Sequence, residues 1–215
     1  MDGIINYLNQ IDTNIFLYFN GLHNHYWDYF MTMYSDRFVW IPFYASFLYV
    51  MLRNFHIKET VTCLLVIVAI IFICDQTAST LLKPMVERMR PSNPDNPISP
   101  MVHVVFGYRG GRYGFPSSHS ANAKLTVFLT IWALLMSYSR IYLGVHYPGD
   151  LFVGMIIGLI TATASYYVFQ YFARNYTDKF KPDGLKLKYQ RYPIYTGLIS
   201  IWVMLTVSGI LAYIN

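Results

Sequence analysis

Charge is what this chain has least of. Charged residues make up 13% of its 215 positions, against roughly a quarter in soluble domains, while hydrophobic residues reach 55%. A chain this poor in charge is ill suited to a water-soluble globule. The balance points to a membrane protein, of a length that fits a single domain over residues 1–215. Cysteine is nearly absent too. The only two, Cys63 and Cys74, fall in one apolar run, about 16 Å apart along the axis if that run is helical. A disulfide needs Cα atoms within about 7 Å, so both read as small core residues. The N-terminus, MDGIINYLNQIDTN, lacks the basic segment and cleavage site of a secretory leader. The first hydrophobic spans are therefore expected to direct insertion themselves. There is no internal repeat and no low-complexity tract. The net charge of +5 lies in the loops between apolar runs, where basic residues set topology rather than grip nucleic acid.

What is present is a series of apolar runs. Ile4, Leu8, Ile11, Ile15, Phe19 and Leu22 recur at spacings of three and four with polar residues between them, which predicts an amphipathic helix lying in the membrane interface. His23 and His25 follow beside Asn24, Tyr26 and Trp27 and read as interfacial residues, a metal site being the lesser reading. Spans are expected over Phe38–Leu52, Val61–Leu82, Leu151–Ala173 and Ile194–Ile214. Gly154, Gly158 and Ala162 in the third permit close helix contact. With the run Leu125–Met136, these predict an all-α polytopic transmembrane bundle of about five to six apolar helices. Between Pro91 and Gly114 four prolines and four glycines predict a cap outside the membrane rather than another span. The loop before the last span holds Arg174, Lys179, Lys181, Lys186, Lys188 and Arg191, which makes it cytoplasmic by the positive-inside rule. Arg53 and Lys58 place the first interhelical turn on the same side. The Lys83–His119 stretch and Asp150 then lie on the exterior face.

On that face the residues able to do chemistry gather in three short stretches: KPMVERMRP from Lys83, PSSH from Pro116, and SRIYLGVHYPGD from Ser139. Ionisable groups at membrane depth cost roughly 2.5–3.5 kcal/mol each on insertion scales, so their presence asks for a functional reading. A phosphoester gathers negative charge in its transition state, which positioned cations and N–H donors stabilise. Lys83, Arg90 and Arg140 are such cations. Ser117 can donate a hydroxyl, and backbone N–H groups of Ser118 and its neighbours, where a loop enters a helix, can form an anion site. A nucleophile and an acid are then needed, and two histidines, His119 and His146, are at hand. Asp75, at the end of the second span, reads equally as an interfacial carboxylate or as one that orients a cationic group. His103, Arg109 and Arg112 in the cap read equally as headgroup contacts or as a solvated loop.

Order and spacing of the three stretches resemble the signature K-x6-RP, PSGH and SR-x5-H-x3-D of the type-2 phosphatidic acid phosphatase and vanadium haloperoxidase superfamily, over about residues 75–165 in motif and the whole chain in hydropathy. That resemblance implies a metal-independent phosphatase, without cofactor, acting on a phosphate or diphosphate of a membrane lipid through a phosphohistidine. Its substrate would be of the phosphatidate, phosphatidylglycerol phosphate, isoprenyl diphosphate or lipid A type, and its home a bacterial inner membrane with an exterior, periplasmic site. It implies His146 as nucleophile, Asp150 as the residue fixing its tautomer, His119 as leaving-group acid, and Lys83, Arg90, Ser117, Ser118 and Arg140 as the phosphate cradle. Ser118 stands where the family has glycine, a change that keeps the backbone N–H. The resemblance leaves the oligomeric state open. A vanadate-dependent haloperoxidase and an inactive lipid-phosphate-binding relative are the competing readings.

One feature departs further from the pattern. Only twenty residues separate His119 from Arg140, so both can serve one site only if residues 120–145 begin and end on the same face. A shortened re-entrant hairpin is the expectation, although Leu125–Met136 offers neither glycine nor proline for its turn.

Overall fold

The computed structural model describes residues 2–109, 127–176, 188–189 and 191–214. Among them the chain forms α1 (Asp2–Asn20), α2 (His25–Ser35), α3 (Ile41–Asn54), α4 (Ile57–Gln76), α5 (Lys83–Val86), α6 (Val127–Tyr142), α7 (Pro148–Tyr176) and α8 (Tyr192–Ile214), with no β-strand. Among the described residues three stretches are long and apolar enough to cross a bilayer: Ile57–Val86, Pro148–Val168 and Tyr192–Ile214. The apolar helix α3, of 14 residues, reaches only about 21 Å at helical rise, short of a ~30 Å hydrocarbon core. The protein is thus the integral membrane helix bundle that its hydropathy predicts.

Side chains are distributed as lipid demands. Helix α8 buries Pro193, Gly197, Ser200, Met204 and Ser208, a stripe at spacings of three and four, and exposes Leu198, Ile199, Trp202 and Ile210. Large apolar groups cost nothing against acyl chains, and small ones inside let backbones approach. That stripe packs on α2 and α3. In α7, Leu151, Gly154 and Gly158 are buried, and the helix packs on α4 and α1. The densest core is aromatic: Tyr34, Trp40 and Phe43 gather against Trp132 of α6. The Trp40 indole N–H donates to the Tyr34 carbonyl at 2.9 Å, so this large ring is buried without an orphaned donor.

α1 forms where the periodicity predicts, and its apolar residues Ile4, Leu8, Ile15 and Leu22 nearby lie exposed, as for a helix against lipid. Its inward stripe is more polar than its sequence pattern suggests, with Asp12 half-buried and Phe16 and Asn20 fully buried. The turn after α3 and the segment before α8 meet at one end of the bundle. Asn54 donates its Nδ2 to the Lys188 carbonyl at 2.8 Å and accepts from the Lys188 N–H at 2.6 Å. The basic loops that the sequence assigns to one side are therefore joined there. The re-entrant turn expected within Leu125–Met136 is absent from its described part, because Val127–Tyr142 is one continuous helix; without glycine or proline nothing breaks its hydrogen-bond ladder. His119 and the rest of the PSSH stretch lie outside the described residues, as does Arg112.

Candidate active site

The site is built on the connection between α6 and α7. Helix α6 ends in a tight turn that Gly144 makes possible: its φ is +71°, and an added Cβ would stand 2.7 Å from Val102 Cγ1. The chain then folds back, so that the N–H groups of Val145 and His146 both bond the Arg140 carbonyl, at 3.1 and 3.3 Å. Pro148 opens α7, where its missing N–H is not needed. Asp150, in the first turn, reaches back with Oδ2 to accept the Tyr147 N–H at 2.9 Å, half of a capping box. Capping and turn together bring Asp150 Oδ2 to 3.4 Å from His146 Nδ1. His146 is 4% exposed and Asp150 0%.

The end of α4 and the residues around α5 close the site from the other side. The last turns before Lys83 form a π-helix over Thr77–Leu82, in which the Lys83 N–H bonds Ala78 O, five residues back. Such segments shift the helical phase and recur at functional sites. Lys83 Nζ donates to Ser79 Oγ at 3.2 Å, and Ser79 donates to Asp75 Oδ1 at 3.3 Å. Asp75 thus orients the lysine through a serine, one of the two readings its position allowed. Glu87, at φ +48°, ends α5 in the left-handed conformation and redirects the chain. Arg90 then reaches the turn: its Nη1 donates to the Val145 carbonyl at 3.1 Å and faces His146 Nε2 at 3.2 Å.

These contacts fix the histidine tautomer. A carboxylate only accepts and a guanidinium only donates, so Nδ1 carries the proton toward Asp150, and Nε2 turns a lone pair toward Arg90. Burial pushes the His146 imidazole below its ordinary value, and Arg90 and Arg140 push it the same way, while the Asp150 hydrogen bond and charge oppose them. The ring is therefore held neutral. Lys83 and Arg140 each lie close enough to Arg90 to repel it, and Tyr108 lies near Arg140. Arg90 Nε is buried with no hydrogen-bond partner among the described residues. Like charges packed this way around a neutral imidazole leave a gap in the electrostatics that an anion would fill.

Two residues that motif reasoning missed complete the arrangement. Arg88, an unassigned position between Lys83 and Arg90, bridges Asp150 Oδ1 at 3.1 Å and Asp12 Oδ2 at 2.7 Å, and lies over the Tyr147 ring, 3.8 Å from its centroid. Asp12 of α1 also accepts the Gly149 N–H at the start of α7, at 2.8 Å. A Cβ on Gly149 would meet Asp12 Oδ2 at 2.8 Å, so glycine is what lets the carboxylate in. The only sequence signal for Asp12 was a carboxylate on an otherwise uncharged stretch of α1, and for Arg88 a second arginine beside the motif one. The cap packs over the turn. The buried Ser92 donates its N–H to Gly144 O at 3.0 Å, and Asn96 Nδ2 holds Arg90 O at 3.0 Å and the Tyr147 hydroxyl at 3.2 Å. Arg109 donates to Ser92 O and Ser99 Oγ, contacts internal to the cap.

Residues 123–174 match the profile of the PAP2 superfamily. The chain is 40% identical over 230 residues to the lipid A 4'-phosphatase of Bacteroides thetaiotaomicron, covering 98% of each chain. It is 34% identical over 179 residues to the lipid A 4'-phosphatase of Porphyromonas gingivalis, covering 77% of this chain and 75% of the relative. It is also 30% identical over 168 residues to the undecaprenyl-diphosphatase of Sulfolobus acidocaldarius, covering 72% and 70%. The first alignment runs over 230 positions where this chain has 215 residues, so that relative carries residues this chain lacks. No solved structure matches.

Proposed function

Because the chain belongs to the PAP2 superfamily and is a membrane phosphatase that acts on lipid phosphates without a metal, we propose that it removes a phosphomonoester from a lipid A-type saccharolipid through a phosphohistidine at His146. The substrate class rests on the printed activity of the two relatives at 40% and 34% identity. The observation that carries the mechanism is the placement of His146, with Nδ1 toward Asp150 at 3.4 Å and Nε2 toward Arg90 at 3.2 Å. A buried, neutral imidazole with its lone pair aimed at a cation is poised for a phosphorus atom whose oxygens that cation would hold.

In this reading the lipid phosphate enters between Lys83, Arg90 and Arg140, with the Ser117 hydroxyl and the Ser118 N–H completing the cradle. His146 Nε2 attacks phosphorus, the bond to the sugar oxygen breaks, and His119 gives that oxygen its proton. Asp150 steadies the imidazole as it gains charge. A water then attacks the phosphorus, deprotonated by His119; the P–N bond breaks, and inorganic phosphate leaves with His146 and His119 restored. Arg88 and Asp12 act on Asp150, as positioning residues. The basic residues of the loops before α4 and α8 support a site on the periplasmic face of an inner membrane, where the sugar-linked phosphates of an outer-leaflet lipid are accessible.

The test is phosphate release in detergent from phosphorylated lipid A, phosphatidylglycerol phosphate and undecaprenyl diphosphate side by side, with and without chelator. The expected result is chelator-resistant release, fastest from lipid A. A diphosphate preferred by tenfold or more would overturn the substrate class, and no release from any of the three would favour an inactive lipid-phosphate binder.

A further inference from the structure

A second group of ligand-bearing side chains sits away from the phosphate cradle, where the α1–α2 turn, α2, the cap and the end of α6 meet. His23 from the turn, Asp28 from the first turn of α2 and His103 from the cap bring one donor atom each within 4.8 Å of one another. His103 Nε2 lies 2.9 Å from Asp28 Oδ1, and the His23 and His103 rings lie parallel, 3.5 Å between centroids. We propose that these residues bind a divalent cation of the zinc class, which ties the cap to the α1–α2 turn.

The surroundings are those of prepared ligands. Asp28 is 9% exposed, and its Oδ1 also accepts the Tyr142 hydroxyl at 2.8 Å, so one carboxylate oxygen is fixed by α6. The His103 peptide is clamped on both sides by the buried Asn20, which accepts its N–H at 2.7 Å and donates to its carbonyl at 3.1 Å. Asn20 Nδ2 donates to Tyr142 O at 2.8 Å as well. Hydrogen bonds of this kind orient metal ligands and are worth one to two decades in affinity. Two imidazoles and one carboxylate suit zinc and its neighbours, with metal–ligand bonds of about 2.0–2.2 Å, and three protein ligands leave a position open to water. Donors about such an ion stand roughly 3.3 Å apart in a tetrahedron, so His103 and Asp28 need open only slightly. Two parallel stacked rings cannot both aim an in-plane lone pair at one ion, so His23, exposed and on a turn, must rotate out of its stack on His103 to close the set. Mg2+ and Ca2+ prefer all-oxygen sets of more ligands and fit poorly here. The ion takes no part in bond breaking, since none of its ligands touches His146 or Asp150, and the inference stands whether or not the substrate reading does.

The experiment titrates Zn2+, Co2+ and Mg2+ separately into chelator-treated, detergent-solubilised full-length protein. It follows thermal unfolding and, for Co2+, the visible d–d bands. Saturable stabilisation by Zn2+, tetrahedral-type Co2+ bands and no response to Mg2+ are expected. H23A should weaken Zn2+ binding at least tenfold, while H25A, whose ring packs instead against Tyr29, should leave it unchanged. Removing the exposed His23 spares the Asp28–Tyr142 contact, so this variant folds even if D28N does not. Absence of a saturable Zn2+ effect, an equal effect in H23A, or an equal response to Mg2+ would overturn the proposal.

Discussion

Helix α8 and the α6–α7 turn bury opposite kinds of side chain. Among its buried residues α8 hides serines, a glycine, a proline and a methionine and offers leucine, isoleucine and tryptophan to lipid. The turn hides an aspartate, a histidine and an arginine and surrounds them with hydrogen bonds. In the first region the solvent outside is as apolar as the protein, so close packing is what the sequence must supply. In the second, buried charge must be compensated group by group. One region tolerates change and the other does not.

The sharpest way to break the contrast is His146→Ala, which is expected to lower turnover by roughly 10^4-fold or more, as loss of a nucleophile does, without preventing folding. His119→Ala should cost less, on the order of 10^2–10^4-fold, and least with substrates whose leaving group needs no proton. Rapid quench and acid-lability of the trapped phosphoenzyme separate the two, because only the His119 variant can accumulate it. As the proposed nucleophile, His146 must be neutral in the parent enzyme. Burial lowers the His146 pKa from the ordinary 6.5, so kcat/KM should hold as pH falls through that value and drop only below it. An acid limb at or above 6.5 assigned to His146 would contradict the buried, neutral ring.

The Asp12–Arg88–Asp150 chain comes next. Arg88→Ala leaves the fully buried Asp150 with one fewer donor and Asp12 without its ion pair. Breaking a buried pair from one side costs about 3–5 kcal/mol, and the lower end applies here because Arg88 is 19% and Asp12 14% exposed, so that water screens part of the loss. Thermal unfolding should show the loss. The milder Asp12→Asn keeps an acceptor for the Gly149 N–H while dropping the charge. It should lower kcat by about tenfold and leave KM nearly unchanged, the signature of a residue acting through Asp150.

Glycines give the most direct comparison between the regions. Gly144→Ala places a Cβ at positive φ and against Val102, at a cost of about 1–3 kcal/mol and with loosening of the cap. Gly209→Ala in α8 meets nothing nearer than Tyr26 Cε2 at 3.7 Å. There the substitution should raise stability by about 0.5–1 kcal/mol through helix propensity. Denaturation midpoints of the two variants should move in opposite directions.

The comparison also separates what was legible in residue order from what was not. Apolar runs announced α4, α7 and α8 to within a few residues, because lipid imposes a length and a composition that no partner helix can replace. Spacing announced Arg140, His146 and Asp150 as a unit, since a turn and a capping aspartate act within twelve residues. Motif resemblance picked out Lys83 and Arg90, and Arg90 does meet the turn; Ser117, Ser118 and His119, named in the same way, lie outside the described residues. Asp12 read as part of a solvated face, because its partners, Arg88 and Gly149, are far away in sequence and only packing of α1 on α7 brings them together. His103 and His23 likewise looked like separate loop residues until Asn20 and Tyr142 held the cap against the α1–α2 turn. The re-entrant turn expected near Leu125–Met136 fell to local physics of another kind: sixteen residues without glycine or proline stay helical.

By itself, then, the order of residues determined the helices and the local geometry of the turn that carries His146. Each of these is set by short-range sterics, capping or the solvent the chain must face. Tertiary structure alone decided which distant charges meet. Arg88 could have turned to water, and Asp12 with it, had α1 not docked on the start of α7. Electrostatic compensation in a buried site depends on distance in space, and separation along the chain carries no record of it.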